Sequence, residues 1–243
     1  MIYLIFYLIL SLFSFSFALD EKKQNFSVSL GVVSTSGNSQ TTTVRGNVNY
    51  THKGETWREY LKFSALYGES KGEKNAERIE AWGRLERRFF PVFIFWDIDY
   101  YRNPFQGYKH SIGTGPGVGI YIFKNEKIYL STSYYVYRIY NELTDKYTAP
   151  ITNYIERYFL HHIEERFRIK LLENVKFKQR IIYKLTSRTN KDYFITAENS
   201  LENRITKNLS MEISYNLNYQ NLPVEDNIKK LDTIFITSIK YTF

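Results

Sequence analysis

Charged side chains recur at every second position along several stretches of this sequence. One stretch carries Arg78, Glu80, Arg84, Glu86 and Arg88 at alternate positions. Alternate residues of a strand point to the same side, so this spacing predicts a face lined with charges of both signs. Such a face can hold ion pairs, bind a charged solute, or supply a carboxylate and a base for acid–base chemistry.

Two pairs of residues are candidates for catalysis. Asp97 and Asp99 share one face, and paired carboxylates near a histidine can activate water, as in barrel proteases. His161 and His162 lie mid-strand, but no serine neighbours them at the spacing that barrel lipases use for a Ser–His pair. We interpret the aspartates as partners of basic residues on neighbouring strands and the histidines as wall residues. No catalytic site, metal site or cofactor is predicted, and a barrel hydrolase is the least favoured function.

The composition narrows the classes of protein further. The chain has 243 residues, a net charge of +8, no cysteine, and 18% aromatic residues, with 22 Tyr and 18 Phe. Without cysteine there are no disulfides, thiolate metal sites or Cys nucleophiles. A basic balance favours contact with nucleic acid, an anionic membrane surface or anionic solutes. Because the basic residues alternate through every segment instead of clustering on one surface, nucleic acid is not an expected partner.

The charged faces must be positioned by strands. After residue 18, segments of roughly 10–14 residues alternate apolar and polar residues and are separated by turn residues. Strands of that length suit a tilted crossing of a bilayer, whereas strands of soluble proteins are typically about 5–6 residues long. The predicted strands, about twelve in number, are Asn25–Thr35, Gln40–Thr51, Thr56–Tyr67, Ala76–Arg88, Val92–Arg102, Ser111–Phe123, Ile128–Tyr140, Asn153–Ile169, Val175–Leu185, Asp192–Arg204, Leu209–Tyr219 and Leu231–Phe243.

The two faces of these strands differ in chemistry. In the fifth, Val92, Ile94 and Trp96 lie on one face, and Asp97 and Asp99 lie on the other. A soluble barrel turns its apolar face inward, whereas a membrane barrel turns it toward lipid and encloses a polar lumen. Strand length, a Tyr-rich apolar face and an N-terminal export signal favour the membrane. The predicted fold is an all-β transmembrane antiparallel β-barrel of about twelve strands with both termini in the periplasm.

Both ends of the chain carry targeting features. Residues 1–18 are predicted to be a signal peptide, because an apolar stretch ends in Ser16–Ala18, with small residues at the cleavage positions. The alternative is a retained membrane anchor. Residues 19–243 then form the barrel, in a Gram-negative outer membrane. The aromatic C-terminal residues Tyr241 and Phe243 predict the signal that the barrel assembly machinery reads.

The connections alternate in length, which is typical of membrane barrels with short periplasmic turns and longer outer loops. Short turns are predicted at His52–Glu55, Phe90-Pro91, Lys124–Lys127, Lys170–Asn174 and Thr206–Asn208. Longer loops are predicted at Gly68–Asn75, Asn103–His110, Asn141–Thr152, Thr186–Lys191 and Gln220–Lys230, with a short exception at Ser36–Ser39.

Four glycines alternate down one face of the sixth predicted strand. A phosphate-binding loop would need its glycines in a turn, and these lie within a strand. The spacing instead predicts a thin wall beside bulky lumen side chains, or a bend. The glycines are Gly113, Gly115, Gly117 and Gly119.

Short motifs at both ends carry a family resemblance. Leu30-Gly31 is followed by Ser36–Ser39 and a Thr-rich strand, and the last strand opens with Lys229–Thr233 and closes with Tyr241–Phe243. The sequence resembles the domain of unknown function 481 family, also called the salt-induced outer-membrane protein family, over essentially the whole mature chain. The resemblance implies a location and a barrel fold, and it implies no catalytic residues.

The charged face is predicted to line the lumen, which leaves two functions open. One is a water-filled channel whose basic excess favours small polar or anionic solutes. The other is a closed structural or stress-related barrel whose opposite charges pair and fill the lumen. Barrels of about eight strands are filled and those of about sixteen are open, so size leaves both functions. The expected partners are outer-membrane lipid, the barrel assembly machinery and small polar or anionic solutes. The candidate lumen residues are Arg58, Lys62, Arg78, Glu80, Arg84, Glu86, Arg88, Asp97, Asp99, Glu156, His162, Glu164, Arg166, Arg168, Lys176, Lys178, Arg180, Lys184, Glu198 and Glu202.

Overall fold

The structure is a computed structural model. It describes residues 24–36, 42–70, 73–144, 154–189, 191–223 and 229–243. The predicted signal peptide, residues 1–18, and the Gly37-Asn38 turn lie outside the described residues. Within the described part of the chain, no helix is long and apolar enough to span a membrane.

Twelve antiparallel strands close into a barrel, which confirms the predicted fold class. Each strand pairs with its neighbours in sequence, and the first pairs with the last to close the cylinder. Closure gives every strand two hydrogen-bonded neighbours, so no strand edge is left unpaired. The strands are β1 (Gln24–Ser36), β2 (Thr42–Lys53), β3 (Trp57–Ser70), β4 (Glu73–Phe89), β5 (Val92–Asn103), β6 (Tyr108–Lys124), β7 (Ile128–Leu143), β8 (Ile155–Lys170), β9 (Val175–Thr186), β10 (Tyr193–Arg204), β11 (Leu209–Gln220) and β12 (Leu231–Thr242).

The alternation of side chains decides which residues face out of the barrel. In β5, Trp96 is 57% exposed on the outside, while the adjacent Asp97 is fully buried on the inside. Leu30, Val44 and Phe235 continue the exposed apolar surface on other strands. The barrel is therefore apolar outside and polar inside, the inverse of a soluble barrel.

The start of β1, the C-terminal residue and the short turns lie at one end of the barrel, here called the short-turn end; the opposite end is the long-loop end. The Phe243 backbone N–H donates to the Phe26 carbonyl oxygen at 3.0 Å, and the two rings lie 5.6 Å apart. Tyr241 contacts Phe243 edge-on, with ring centroids 4.8 Å apart. The C-terminal aromatic residues therefore secure the seam between β1 and β12.

Three of the predicted long loops were wrong in their bounds. β7 continues to Leu143, inside the predicted Asn141–Thr152 loop. β3 continues to Ser70 and β4 begins at Glu73, so most of the predicted Gly68–Asn75 loop belongs to strands. β6 begins at Tyr108, inside the predicted Asn103–His110 loop. Strand pairing needs backbone hydrogen bonds and not apolar side chains, so the ladder continues past the point where apolar alternation ends.

The glycines of β6 make room for an aromatic wall inside the barrel. A Cβ atom added to Gly117 would overlap the Phe95 ring and lie 2.6 Å from Cβ of Tyr135, and one added to Gly115 would overlap the backbone of Val136. The interpretation that these glycines thin the wall beside bulky groups is confirmed. The aromatic wall comprises Phe93, Phe95, Tyr121, Tyr135, Tyr137, Ile139, Tyr158 and Leu160.

Candidate functional site

The structure places the predicted lumen residues on the inner face of the barrel. They lie on the same alternating face of each strand as the most deeply buried side chains, which include Arg84, Asp97 and Glu164. The residues between them, such as Leu85 and Trp96, lie on the exposed outer face. Their role in lining a conducting pore stays a prediction.

An Arg–Asp pair lies at the centre of the interior. Arg84 Nε donates to Asp97 Oδ1 and Arg84 Nη2 donates to Asp97 Oδ2, both at 2.7 Å. The Tyr137 hydroxyl donates to the same Oδ2 at 2.8 Å. Cζ of Arg84 also lies 3.7 Å from the ring centroid of Phe95. The two parallel hydrogen bonds and the ring beneath the guanidinium fix Arg84 in one orientation.

Glu164 joins this pair to the opposite side of the interior. Its carboxylate accepts hydrogen bonds from the Tyr135 hydroxyl at 2.8 Å, from Arg180 Nη2 at 3.0 Å and from Arg166 Nε. Arg84 Nη2 lies 4.0 Å from Glu164 Oε2, although β4 and β8 are not neighbouring strands. This contact therefore crosses the interior. We call Arg84, Asp97, Glu164 and Arg180 the central bridge.

The candidate catalytic residues take structural positions. Asp97 belongs to the central bridge, while His162 stacks on Tyr135 with ring centroids 4.2 Å apart and an interplanar angle of 9°. His161 lies near the outer surface, with Nδ1 2.7 Å from the Tyr134 hydroxyl. This arrangement fits the interpretation of ion pairing and wall residues. Among the described residues, no group of three or more His, Asp or Glu side chains is placed to hold a metal ion.

Two further groups of ion pairs lie along the interior. Arg45 Nη2 lies 2.7 Å from Glu80 Oε2, which links β2 to β4. Glu202 on β10 accepts hydrogen bonds from Lys178 on β9 and Lys240 on β12, both at 2.7 Å. Opposite charges on different strands therefore do pair inside the barrel.

Several of these charged side chains nevertheless keep accessible surface. The exposed fraction of the side chain is 30% for Glu80, 35% for Glu198, 35% for Lys178 and 27% for Arg180. All four lie within strands on the inner face, so this surface is reached from inside the barrel. The interior thus combines a closed aromatic wall with a region where charged side chains keep accessible surface.

A turn at the long-loop end also reaches into the interior, and this feature was missed from the sequence. A short 3₁₀ turn, Pro104–Gln106, follows β5 and ends at Gly107, whose φ of 88° favours glycine. The Gln106 amide donates to the Asp232 carboxylate on β12, which is six strands from β6 in the barrel order. The turn therefore crosses the long-loop end. Its Pro and Gly predict a tight turn, but they do not reveal its direction.

Basic residues lie directly opposite one another at three inner positions of β8 and β9. Like charges in directly opposed positions destabilise a sheet. Acidic partners offset part of that cost, since Glu164, Glu202 and Glu173 form ion pairs with members of this surface. We call this surface the cationic wall; its opposed pairs are Arg166 with Arg180, Arg168 with Lys178, and Lys170 with Lys176.

Comparison with known proteins identifies the fold. Residues 28–243 match the model of a family described as "Protein of unknown function, DUF481". No curated protein matches the sequence. Among solved structures, the NanC porin has a TM-score of 0.59 at 7% identity and covers 88% of this chain and 98% of its own.

Two more solved structures show the same architecture. The KdgM porin, described in complex with disordered oligogalacturonate, has a TM-score of 0.51 at 10% identity and covers 89% of this chain and 99% of its own. The COG4313 outer membrane channel from Pseudomonas putida F1 has a TM-score of 0.55 at 8% identity and covers 91% of this chain and 96% of its own. At such identities the likeness shows the fold alone, which is the porin-like fold of outer-membrane barrels.

Proposed function

We propose a function for this chain, which belongs to the family described as "Protein of unknown function, DUF481". The proposed function is passive passage of small polar solutes, with a preference for anions, through a barrel in the Gram-negative outer membrane. Residues 1–18 would act as the signal peptide, and the short-turn end with both termini would face the periplasm. The exposed apolar surface of the barrel supports a position in lipid.

The observation that carries this proposal is the water-accessible charge inside the barrel. Glu198 and Lys178 each keep 35% of their side-chain surface, although they lie within strands on the inner face. A lumen filled by paired side chains would remove that surface from water. Partly hydrated charges of this kind are typical of the lining of a polar channel.

The cationic wall supports the preference for anions. It concentrates six basic residues on two adjacent strands, in directly opposed positions. Positive charge along a narrow, low-dielectric passage attracts anions and repels cations. A solved porin of the same fold is described in complex with disordered oligogalacturonate.

A closed structural barrel is the second candidate function, and the contacts that cross the interior favour it. Arg84 reaches Glu164 across non-neighbouring strands, and Gln106 reaches Asp232 across the long-loop end. In that case the ion pairs brace the barrel and no solute passes. A hydrolase is not proposed, because Asp97 is held by Arg84.

Planar-bilayer recording of the refolded mature protein, residues 19–243, separates the two candidates. A channel gives discrete current steps in potassium chloride. The refolded state is verified by its altered mobility in an unheated gel. A folded barrel that inserts and produces no steps would contradict the channel and support the closed structural barrel.

A further inference from the structure

A cavity of about 260 Å³ lies at the foot of the cationic wall, at the short-turn end. The side chains that line it come from the ends of β8, β9 and β10 and from two of the short turns. Four of the six are basic. They are Arg168, Lys170, Lys176 and Arg204, together with Glu126 and Glu173.

One acidic residue of this cavity forms an ion pair with a basic residue that also lines it. Lys170 Nζ lies 2.9 Å from Glu173 Oε2. The hydrogen bond from Lys170 holds the pKa of the Glu173 carboxyl below its ordinary value, so the pair is ionised at neutral pH. Apart from this ion pair, the cavity is lined by three basic residues and one acidic residue, Glu126.

The remaining cations of the cavity form no ion pair with another described residue, although Glu202 lies opposite Lys176 on the neighbouring strand. Within the described part of the chain, Arg168, Lys176 and Arg204 form no ion pair. Higher on the same wall, by contrast, Arg180 pairs with Glu164 and Lys178 pairs with Glu202. Uncompensated positive charge is therefore concentrated at the short-turn end.

We infer that this cavity is a binding site for a small oxyanion with two or more negative charges, such as a phosphate or a polycarboxylate. The inference deepens the proposed function and rests on it, because it names the class of solute that would occupy the periplasmic end of the channel. Three converging cations match several negatively charged oxygens. An arginine guanidinium offers two parallel donors to one oxyanion, and a lysine ammonium adds a compact charge.

The volume of the cavity sets the size of the ligand. Sites for drug-sized ligands occupy about 300–1,000 Å³, so a cavity below that range suits an anion of a few heavy atoms. Chloride carries one charge and has no oxygen atoms to place, and it is therefore expected to bind weakly. The site distinguishes multivalent oxyanions from the small monovalent anions that carry current.

Binding of inorganic pyrophosphate to the refolded mature protein tests this inference directly. Isothermal titration calorimetry in detergent is expected to detect pyrophosphate binding. Arg168→Gln and Lys176→Gln are each expected to weaken it about tenfold, as the loss of one charge-assisted hydrogen bond predicts. Arg168→Lys, which keeps the charge, is expected to recover part of the affinity.

Lys207→Gln is the matched control. Lys207 lies in the exposed turn after β10 and does not line the cavity, so its loss removes one positive charge from the same end of the barrel. Equal weakening in Lys207→Gln and Lys176→Gln would overturn the site, because the effect would be one of net charge. Absence of pyrophosphate binding by the folded wild-type protein would also overturn it.

The same protein in a planar bilayer separates this inference from the proposed function. Current steps in potassium chloride without pyrophosphate binding in the calorimeter would remove the site and leave the channel. Pyrophosphate binding that depends on Lys176, in a barrel that carries no current, would contradict the channel and leave the binding site in a closed barrel. Support for both requires current steps that pyrophosphate blocks in the wild type and blocks about tenfold less effectively in Lys176→Gln.

Discussion

The Arg84 side chain is almost entirely buried, so its positive charge must be balanced by the groups that it contacts. Its guanidinium makes two hydrogen bonds of 2.7 Å to Asp97 and lies against the Phe95 ring. A buried ion pair stabilises little compared with apolar residues of the same volume, but removal of one partner leaves an uncompensated charge. The pair therefore fixes the positions of β4 and β5 more than it stabilises the fold.

The substitution Asp97→Asn is expected to lower the free energy of unfolding by about 3–5 kcal/mol, because it removes the charge hydrogen-bonded to the buried Arg84 and leaves only Glu164, at 4.0 Å, as a counter-charge. Guanidinium unfolding in detergent micelles, followed by tryptophan fluorescence, measures this change. The double variant R84M/D97L provides the control, since it removes both charges and is expected to recover most of the lost stability. An unfolding midpoint of Asp97→Asn equal to that of the wild type would contradict the role of the central bridge.

The sequence predicts that charged residues face inward, but it does not predict which of them meet. Arg84 and Glu164 lie on strands separated by three others, and their contact depends on how far each strand is staggered in the closed barrel. Asp97 and His162 were candidates for catalysis on residue type and face alone. Their partners, Arg84 and the Tyr135 ring, become evident only from the three-dimensional arrangement.

β6 shows how a strand with glycines on its inner face makes room for the side chains of its neighbours. Four of its inner positions are glycines, and the aromatic rings of β5 and β7 occupy the space that side chains would need there. The alternation of the four glycines was readable in the sequence. The identity of the rings that use the space was not, because it depends on strand register.

Gly117→Ala is expected to destabilise the barrel by about 1–3 kcal/mol, because the added Cβ overlaps the Phe95 ring and the neighbouring wall must shift. The guanidinium titration described above measures the loss. Gly46→Ala is the matched control, since its added Cβ would meet only Leu30 Cδ2 at 3.7 Å, an ordinary contact. If the two variants lost equal stability, the loss would not come from crowding at the aromatic wall.

Deletion of Phe243 is expected to reduce the yield of assembled barrel in the outer membrane. It removes a backbone hydrogen bond to Phe26 and a ring contact that secure the seam between β1 and β12, and it removes the predicted assembly signal. Quantification of the folded protein in isolated membranes measures the effect. Phe90→Ala, at an aromatic residue that is 72% exposed at the same end, controls for loss of a ring there. A normal yield after deletion of Phe243 would contradict its role in assembly.

The strands themselves were largely predictable, because an apolar surface on one face and a polar interior on the other impose a period of two. The predicted start of β5 at Val92 and of β9 at Val175 match the structure. Strand ends were less predictable. β3 extends to Ser70 and β4 begins at Glu73, because backbone pairing continues where the side-chain pattern has ended.

The chemistry of the barrel interior differs from one side to the other. Aromatic side chains close one side, and the cationic wall of β8 and β9 occupies another. Glu198 and Arg180 keep accessible surface there, so a hydrated passage would run beside positive charge. This asymmetry is the physical basis of the proposed preference for anions.

Reversal of the charges at Lys176, Lys178 and Arg180 to Glu is expected to shift the ion selectivity of the channel toward cations, because the cationic wall becomes acidic along β9. Reversal-potential measurements in a salt gradient report the shift. Lys178 and Arg180 have acidic partners, so Lys176→Glu alone, at a residue without an ion pair to another described residue, serves as the milder variant. Unchanged selectivity in both conducting variants would remove these residues from the passage.

The preference for anions is tested by the reversal potential of the wild-type protein under a tenfold gradient of potassium chloride. We expect discrete channels whose current reverses at a potential displaced from zero toward the equilibrium potential of chloride. Reversal at zero, or displacement toward the potassium potential, would contradict the role assigned to the cationic wall. A folded and inserted barrel that carries no current would contradict the channel itself.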